Sequence, residues 1–112
     1  MSFTVRKDDA TGVVHVRIDG QLIVGNRHDL KKKVLDAMDE GERKIVIDFT
    51  ETGYIDSSGL GVLVSLSKKI REVGGDLRLA GLNDDLRTLF ELTKLDTLFT
   101  IMGSAEEAAG SF

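Results

Sequence analysis

The 112-residue chain contains no cysteine. A disulfide framework and a thiolate metal site are both excluded, and an intracellular compartment is the simplest setting. Proline is absent too. No run approaches the roughly 20 apolar residues that a membrane-spanning helix needs, and residues 1–9 lack the apolar core of a signal peptide. Lys plus Arg is 15 and Asp plus Glu is 19, a net charge of −4 at pH 7. The charges are interspersed and form no basic cluster of the kind that holds phosphate backbones, which argues against nucleic acid as a partner. The chain reads as soluble and cytoplasmic, without membrane insertion. Its length makes one domain over residues 1–112, with room for a core but not for a second one.

Hydrophobic patterning is clearest at the start and in the middle. Val14, Val16 and Ile18 alternate with polar residues after a turn near Gly12, so residues 3–5 and 13–20 read as a hairpin. Asn26 is placed to cap a helix with Asp29 in its first turn and an apolar stripe of Leu30, Val34, Leu35 and Met38, stopped at Gly41. Residues 45–49 read as a buried strand. Leu60, Leu63, Leu66 or Ser67, Ile70 and Val73 recur at three to four residues, predicting an amphipathic helix that stops at Gly74-Gly75. A strand over 76–80, a helix capped by Asn83 with Leu86, Leu89 and Phe90, a short strand within 98–101 and a terminal helix over 104–109 complete the chain. The order β-β-α-β-α-β-α with a tail predicts an α/β domain. Its sheet is mixed and mostly parallel, of four to five strands packed by helices.

The most informative stretch is Tyr54-Ile55-Asp56-Ser57-Ser58-Gly59-Leu60-Gly61, where a strand-like run meets the longest helical pattern. A helix start leaves N–H groups unpaired and carries partial positive charge, so it welcomes an oxygen or a phosphate. The bland account is a helix cap, since Asp and Ser favour that position in any protein. Capping alone leaves Gly59 and Gly61 unexplained, because each costs a helix up to about 1 kcal/mol relative to Ala. A serine nucleophile is disfavoured: neither Ser57 nor Ser58 has the G-x-S-x-G spacing, and the two histidines, His15 and His28, lie in a strand and in the first helix. No phosphate-binding G-x-x-x-x-G-K-[ST] run occurs. The pairs Asp8-Asp9, Asp84-Asp85 and Glu106-Glu107 are adjacent in sequence and point in different directions, so no metal site and no cofactor are expected.

Residues 56–61, with the strand at 45–49 before them and Leu89-Phe90-Glu91-Leu92-Thr93, Leu95-Asp96 and Leu98-Phe99 after them, resemble the STAS domain family. Within it the chain is similar to the small anti-sigma factor antagonists of bacteria. The resemblance implies that Ser57 is phosphorylated by a serine kinase that is also the anti-sigma factor. The unphosphorylated protein would bind that kinase and free a sigma factor; phosphorylation would break the complex and a PP2C-type phosphatase would restore it. Asp56 would orient the phosphorylation site, and Ser58, Gly59, Leu60 and Gly61 would shape the helix start that the partner reads. The domain itself would perform no catalysis.

Two departures stand out. Where family members of the switching type often carry an acidic residue, this chain has Leu22, Ile23 and Val24, which either bury themselves at the hairpin's end or form an apolar docking rim. Lys94 stands where the family often has glycine, and a left-handed lysine costs roughly 1 kcal/mol. The alternative to partner switching is a STAS subunit that docks on a transporter ATPase or a sensory assembly, with Ser57 only a cap; a serine hydrolase is more remote.

Overall fold

A computed structural model describes residues 2–112. Strand β1 (Ser2–Asp8) pairs antiparallel with β2 (Val13–Leu22), in register from Ser2 opposite Asp19 to Asp8 opposite Val13. Gly12 makes the turn with φ +74°, a left-handed backbone that favours glycine. The chain continues through α1 (Arg27–Asp39), β3 (Lys44–Asp48), β4 (Thr52–Ile55), α2 (Ser57–Glu72), β5 (Asp76–Ala80), α3 (Asp84–Leu92), a 3-10 turn (Leu95–Thr97), β6 (Ile101–Met102) and α4 (Ala105–Gly110). Strands β1-β2-β3-β5-β6 lie side by side, and every pairing after the hairpin is parallel.

The alternation along β2 sorts its side chains onto two faces. Val14, Val16 and Ile18 join Ile45 and Ile47 of β3 and Leu77 and Leu79 of β5 in the main core. Helices α1, α2 and α3 close over that face with Leu30 and Val34, Leu63, Leu66 and Ile70, and Leu86 and Phe90. Phe90 meets Phe99 edge to face, ring centroids 6.0 Å apart. The opposite face carries Val13, Val46 and Ala80, covered by Ala108 of α4. Arg78 lies 4.4 Å over the Phe112 ring and donates to the Ser111 hydroxyl at 2.5 Å, which ties the end of the chain to this face.

The sheet has six strands where the hydrophobic pattern predicts four to five. The additional one is β4, whose four residues, Thr-Gly-Tyr-Ile, are too few and too mixed to show a period. Among the described residues it pairs only with the end of β2, Gly20 to Leu22, with a register shift between Gly20 and Gln21. Boundaries also move, at two places by more than an extension of the expected strand. The strand expected within 98–101 contracts to Ile101–Met102 after the 3-10 turn, and α2 ends at Glu72, leaving Val73 48% exposed rather than on the apolar stripe. The cause is Gly74, whose φ of +85° turns the chain off the helix immediately after Val73.

Candidate functional site

The corner between β4 and α2 is assembled from two chain segments. Ile55 (2% exposed) and Leu63 (0%) anchor its two arms in the core. Asp56, between them, extends the β2–β4 pairing by donating its N–H to the Leu22 carbonyl at 3.1 Å. Its side chain then serves both segments. Oδ1 accepts the Gly59 N–H at 2.8 Å, capping α2, and Oδ2 accepts the Val24 N–H at 3.0 Å, holding the loop that follows β2. These donors explain its acidity. The Gly59 amide first, then the Val24 and Ser58 amides and the Arg27 charge, hold the Asp56 carboxyl below its ordinary value against some desolvation.

Ser57 is the first residue of α2 and is exposed; its hydroxyl makes no hydrogen bond among the described residues. Ser58 is half-buried, and Leu60 is 9% exposed and packs into the core. The two glycines differ. A Cβ built on Gly59 would lie 2.6 Å from the Leu22 carbonyl and 2.9 Å from Ile55 Cγ2, so glycine is what lets α2 start against the end of β2. At Gly61 a Cβ would meet nothing within 4 Å.

Leu22, Ile23 and Val24 differ in burial. Leu22 is fully buried, so its side chain is a core element that packs under Gly59, and its carbonyl accepts the Asp56 N–H. Ile23 is half-buried, and Val24 is 60% exposed. Tyr54, on β4, is 58% exposed. Asn26 occupies the cap position of α1 but makes no side-chain bond to that helix. Instead its Oδ1 accepts the Ile23 N–H and its Nδ2 donates to the Gln21 carbonyl, both at 2.8 Å, and the residue is 3% exposed. Both bonds are part-buried, where a backbone group left without a partner is costly. Sequence reading missed this staple because an Asn before a helix is the ordinary sign of a cap.

His15, the first histidine, lies on the sheet face opposite α2 and is 8% exposed. Burial first and the Arg6 charge second lower its pKa. His28, on α1, borders the groove between α1 and α2. Neither histidine bonds either serine among the described residues, so the corner has no base poised on a nucleophile.

The STAS domain model matches residues 4–108. The chain belongs to the STAS domain family. BtrV of Bordetella bronchiseptica is 32% identical over 112 residues, covering 100% of this chain and 95% of its own. The anti-sigma-B factor antagonist of Bacillus subtilis is 31% identical over 93 residues, 83% of this chain and 84% of that protein. The crystal structure of TM1081 from Thermotoga maritima superposes with a TM-score of 0.88 at 31% identity, covering 96% of this STAS domain and 92% of that chain. No helix among the described residues is long and apolar enough to cross a membrane.

Proposed function

We propose that this STAS domain is an anti-sigma factor antagonist whose binding to an anti-sigma serine kinase is switched off by phosphorylation of Ser57. The observation that carries the reading is the exposed, unbonded Ser57 hydroxyl at the first position of a helix whose cap is already supplied by Asp56. Because the cap does not depend on Ser57, that hydroxyl is free to be modified without dismantling the corner. A phosphate adds about −1.5 to −2 charges, and at a helix start it meets a favourable dipole. The fold therefore tolerates the modification while the surface around Ser57 changes sign. A partner that buries this surface must then desolvate a dianion, and every 1.4 kcal/mol of that penalty weakens binding about tenfold. The switch acts on binding and requires no change of shape. Similarity to antagonist proteins supports the same reading, in which a PP2C-type phosphatase returns Ser57 to its binding form and a sigma factor is released indirectly.

The test is labelling with the cognate kinase of the native host, read by intact mass. The wild type gains one phosphate, Ser57→Ala gains none, Ser58→Ala is labelled normally, and the phosphorylated protein no longer co-elutes with the kinase. Labelling that persists in Ser57→Ala sinks the assignment. Recovery of a transport ATPase and no kinase in a pull-down from the host would move the reading to a docking subunit.

A further inference from the structure

Gly61 breaks the pattern set by its neighbour. Gly59 is required by the fold, whereas Gly61 is exposed, has no positive φ, and leaves open space where a Cβ would stand. It lies in the second turn of α2, where glycine weakens a helix, and nothing inside this chain compensates. A bare stretch of backbone on a helix surface is of use to something that approaches from outside.

The surroundings say what kind of surface that is. Gly61 forms part of a groove of about 200 Å³ between α1 and α2, lined with it by Arg27, His28, Lys31, Val62 and Ser65. The α1 wall carries two cations and a histidine, and no acidic residue lines the groove, although the chain as a whole has a net charge of −4. Neither Arg27 nor Lys31 enters a salt bridge among the described residues, and Arg27 Nε is buried without a hydrogen-bond partner. Positive charge outside any salt bridge therefore runs along one side of a groove whose other side, lined by Val62 and Ser65, lacks a side chain at Gly61.

Resting on the reading of the protein as a partner-switching antagonist, we infer that this groove receives an acidic helix of the anti-sigma partner, packed close against α2 at Gly61. Helix-in-groove recognition explains the missing side chain, and charge complementarity explains the α1 wall. Ser57 and Gly61 are four residues apart and share a face of α2. A phosphate on Ser57 thus stands at the end of the same groove, where it repels an acidic segment and draws on the same basic wall.

The test measures affinity of the full chain for the purified host kinase that labels Ser57, at low and at moderate salt. Gly61→Leu fills the groove and weakens binding about tenfold or more, while Lys31→Glu weakens it comparably at low salt, with a deficit that shrinks as salt rises. Thermal melting confirms that each variant is folded, and Lys31→Glu, a surface change, keeps the test intact if Gly61→Leu is not. Wild-type affinity in both variants overturns the groove while leaving the Ser57 switch standing. Loss of a homodimer in Gly61→Leu with kinase affinity unchanged also overturns it, making the groove a self-association surface. No binding by the unphosphorylated wild type overturns both.

Discussion

The Asp56 carboxylate accepts the Val24 amide at 3.0 Å across 32 positions of sequence. The same carboxylate caps α2 through Gly59, so one side chain sets the distance between the loop after β2 and the helix that begins at Ser57. Any surface that includes both Val24 and Ser57 depends on it.

Asp56→Ala should therefore loosen two segments at once. Amide exchange at Val24 and Gly59 is expected to accelerate well beyond the change in global stability, while Ile45 to Ile47, in the centre of the sheet, follow global stability alone. The pH dependence has a definite sign. Asp56 titrates below its ordinary 3.8 in the folded protein, so its stabilisation is complete above that value and is lost as pH falls through the lower folded one. Asp56→Asn should flatten part of the acid limb of a denaturation profile. An unchanged limb would show that Asp56 contributes nothing to it.

The two glycines of the corner should respond in opposite ways to alanine. At Gly59 the new methyl collides with the Leu22 carbonyl, and overpacking costs typically about 1–3 kcal/mol, more than the roughly 1 kcal/mol gained in helix propensity. At Gly61 only the gain remains, which raises the melting temperature by about 4–8 °C per kcal/mol in a domain near this size. Thermal melts of Gly59→Ala and Gly61→Ala check both signs.

That contrast marks how far the sequence can be read. The hairpin and α2 were legible because their apolar periods run for several turns or alternations, and Asp56-Ser57 was legible as a helix start because capping is local. Gly59 and Gly61 look alike in sequence; what separates them is the end of β2, brought in from residue 22. Asn26 misleads for the same reason, since its choice between capping α1 and stapling the loop depends on where Gln21 and Ile23 lie. Strand β4 is four residues long, and its register against β2 shifts by one residue at Gly53, which no periodicity reveals. Lys94 adopts the left-handed backbone, φ +64°, at the position where the family resemblance led one to expect a glycine-favouring turn.

Asn26→Ala should cost about 1–3 kcal/mol, because the Ile23 amide and the Gln21 carbonyl lose their partner in a site that is 3% exposed. Asn26→Asp keeps the acceptor but sets a buried carboxylate against the Gln21 carbonyl, which raises its pKa in the folded state. That variant should lose stability as pH rises through the ordinary carboxylate range, opposite in sign to Asp56. Urea denaturation at several pH values distinguishes the two; a flat profile for Asn26→Asp would show that the staple is solvated.

His15 supplies a titration of a different kind. Burial is the main cause of its lowered pKa and Arg6 adds to it, while Asp8, Asp48 and Glu106 pull the other way. Its Nδ1 is buried without a hydrogen-bond partner, so the folded protein holds the ring neutral where the unfolded chain protonates it. The unfolded state then binds more protons just below the ordinary value of 6.5, and stability must fall as pH drops beneath it, continuing until His15 itself charges in the folded protein. The slope cannot exceed one proton, which distinguishes it from the steeper acid limb of the carboxylates. His15→Phe, similar in size and uncharged, should remove the slope that sets in below the ordinary value of 6.5 while leaving Ser57 as accessible to labelling as in the wild type. A slope that survives the substitution would place the titrating group elsewhere in the fold.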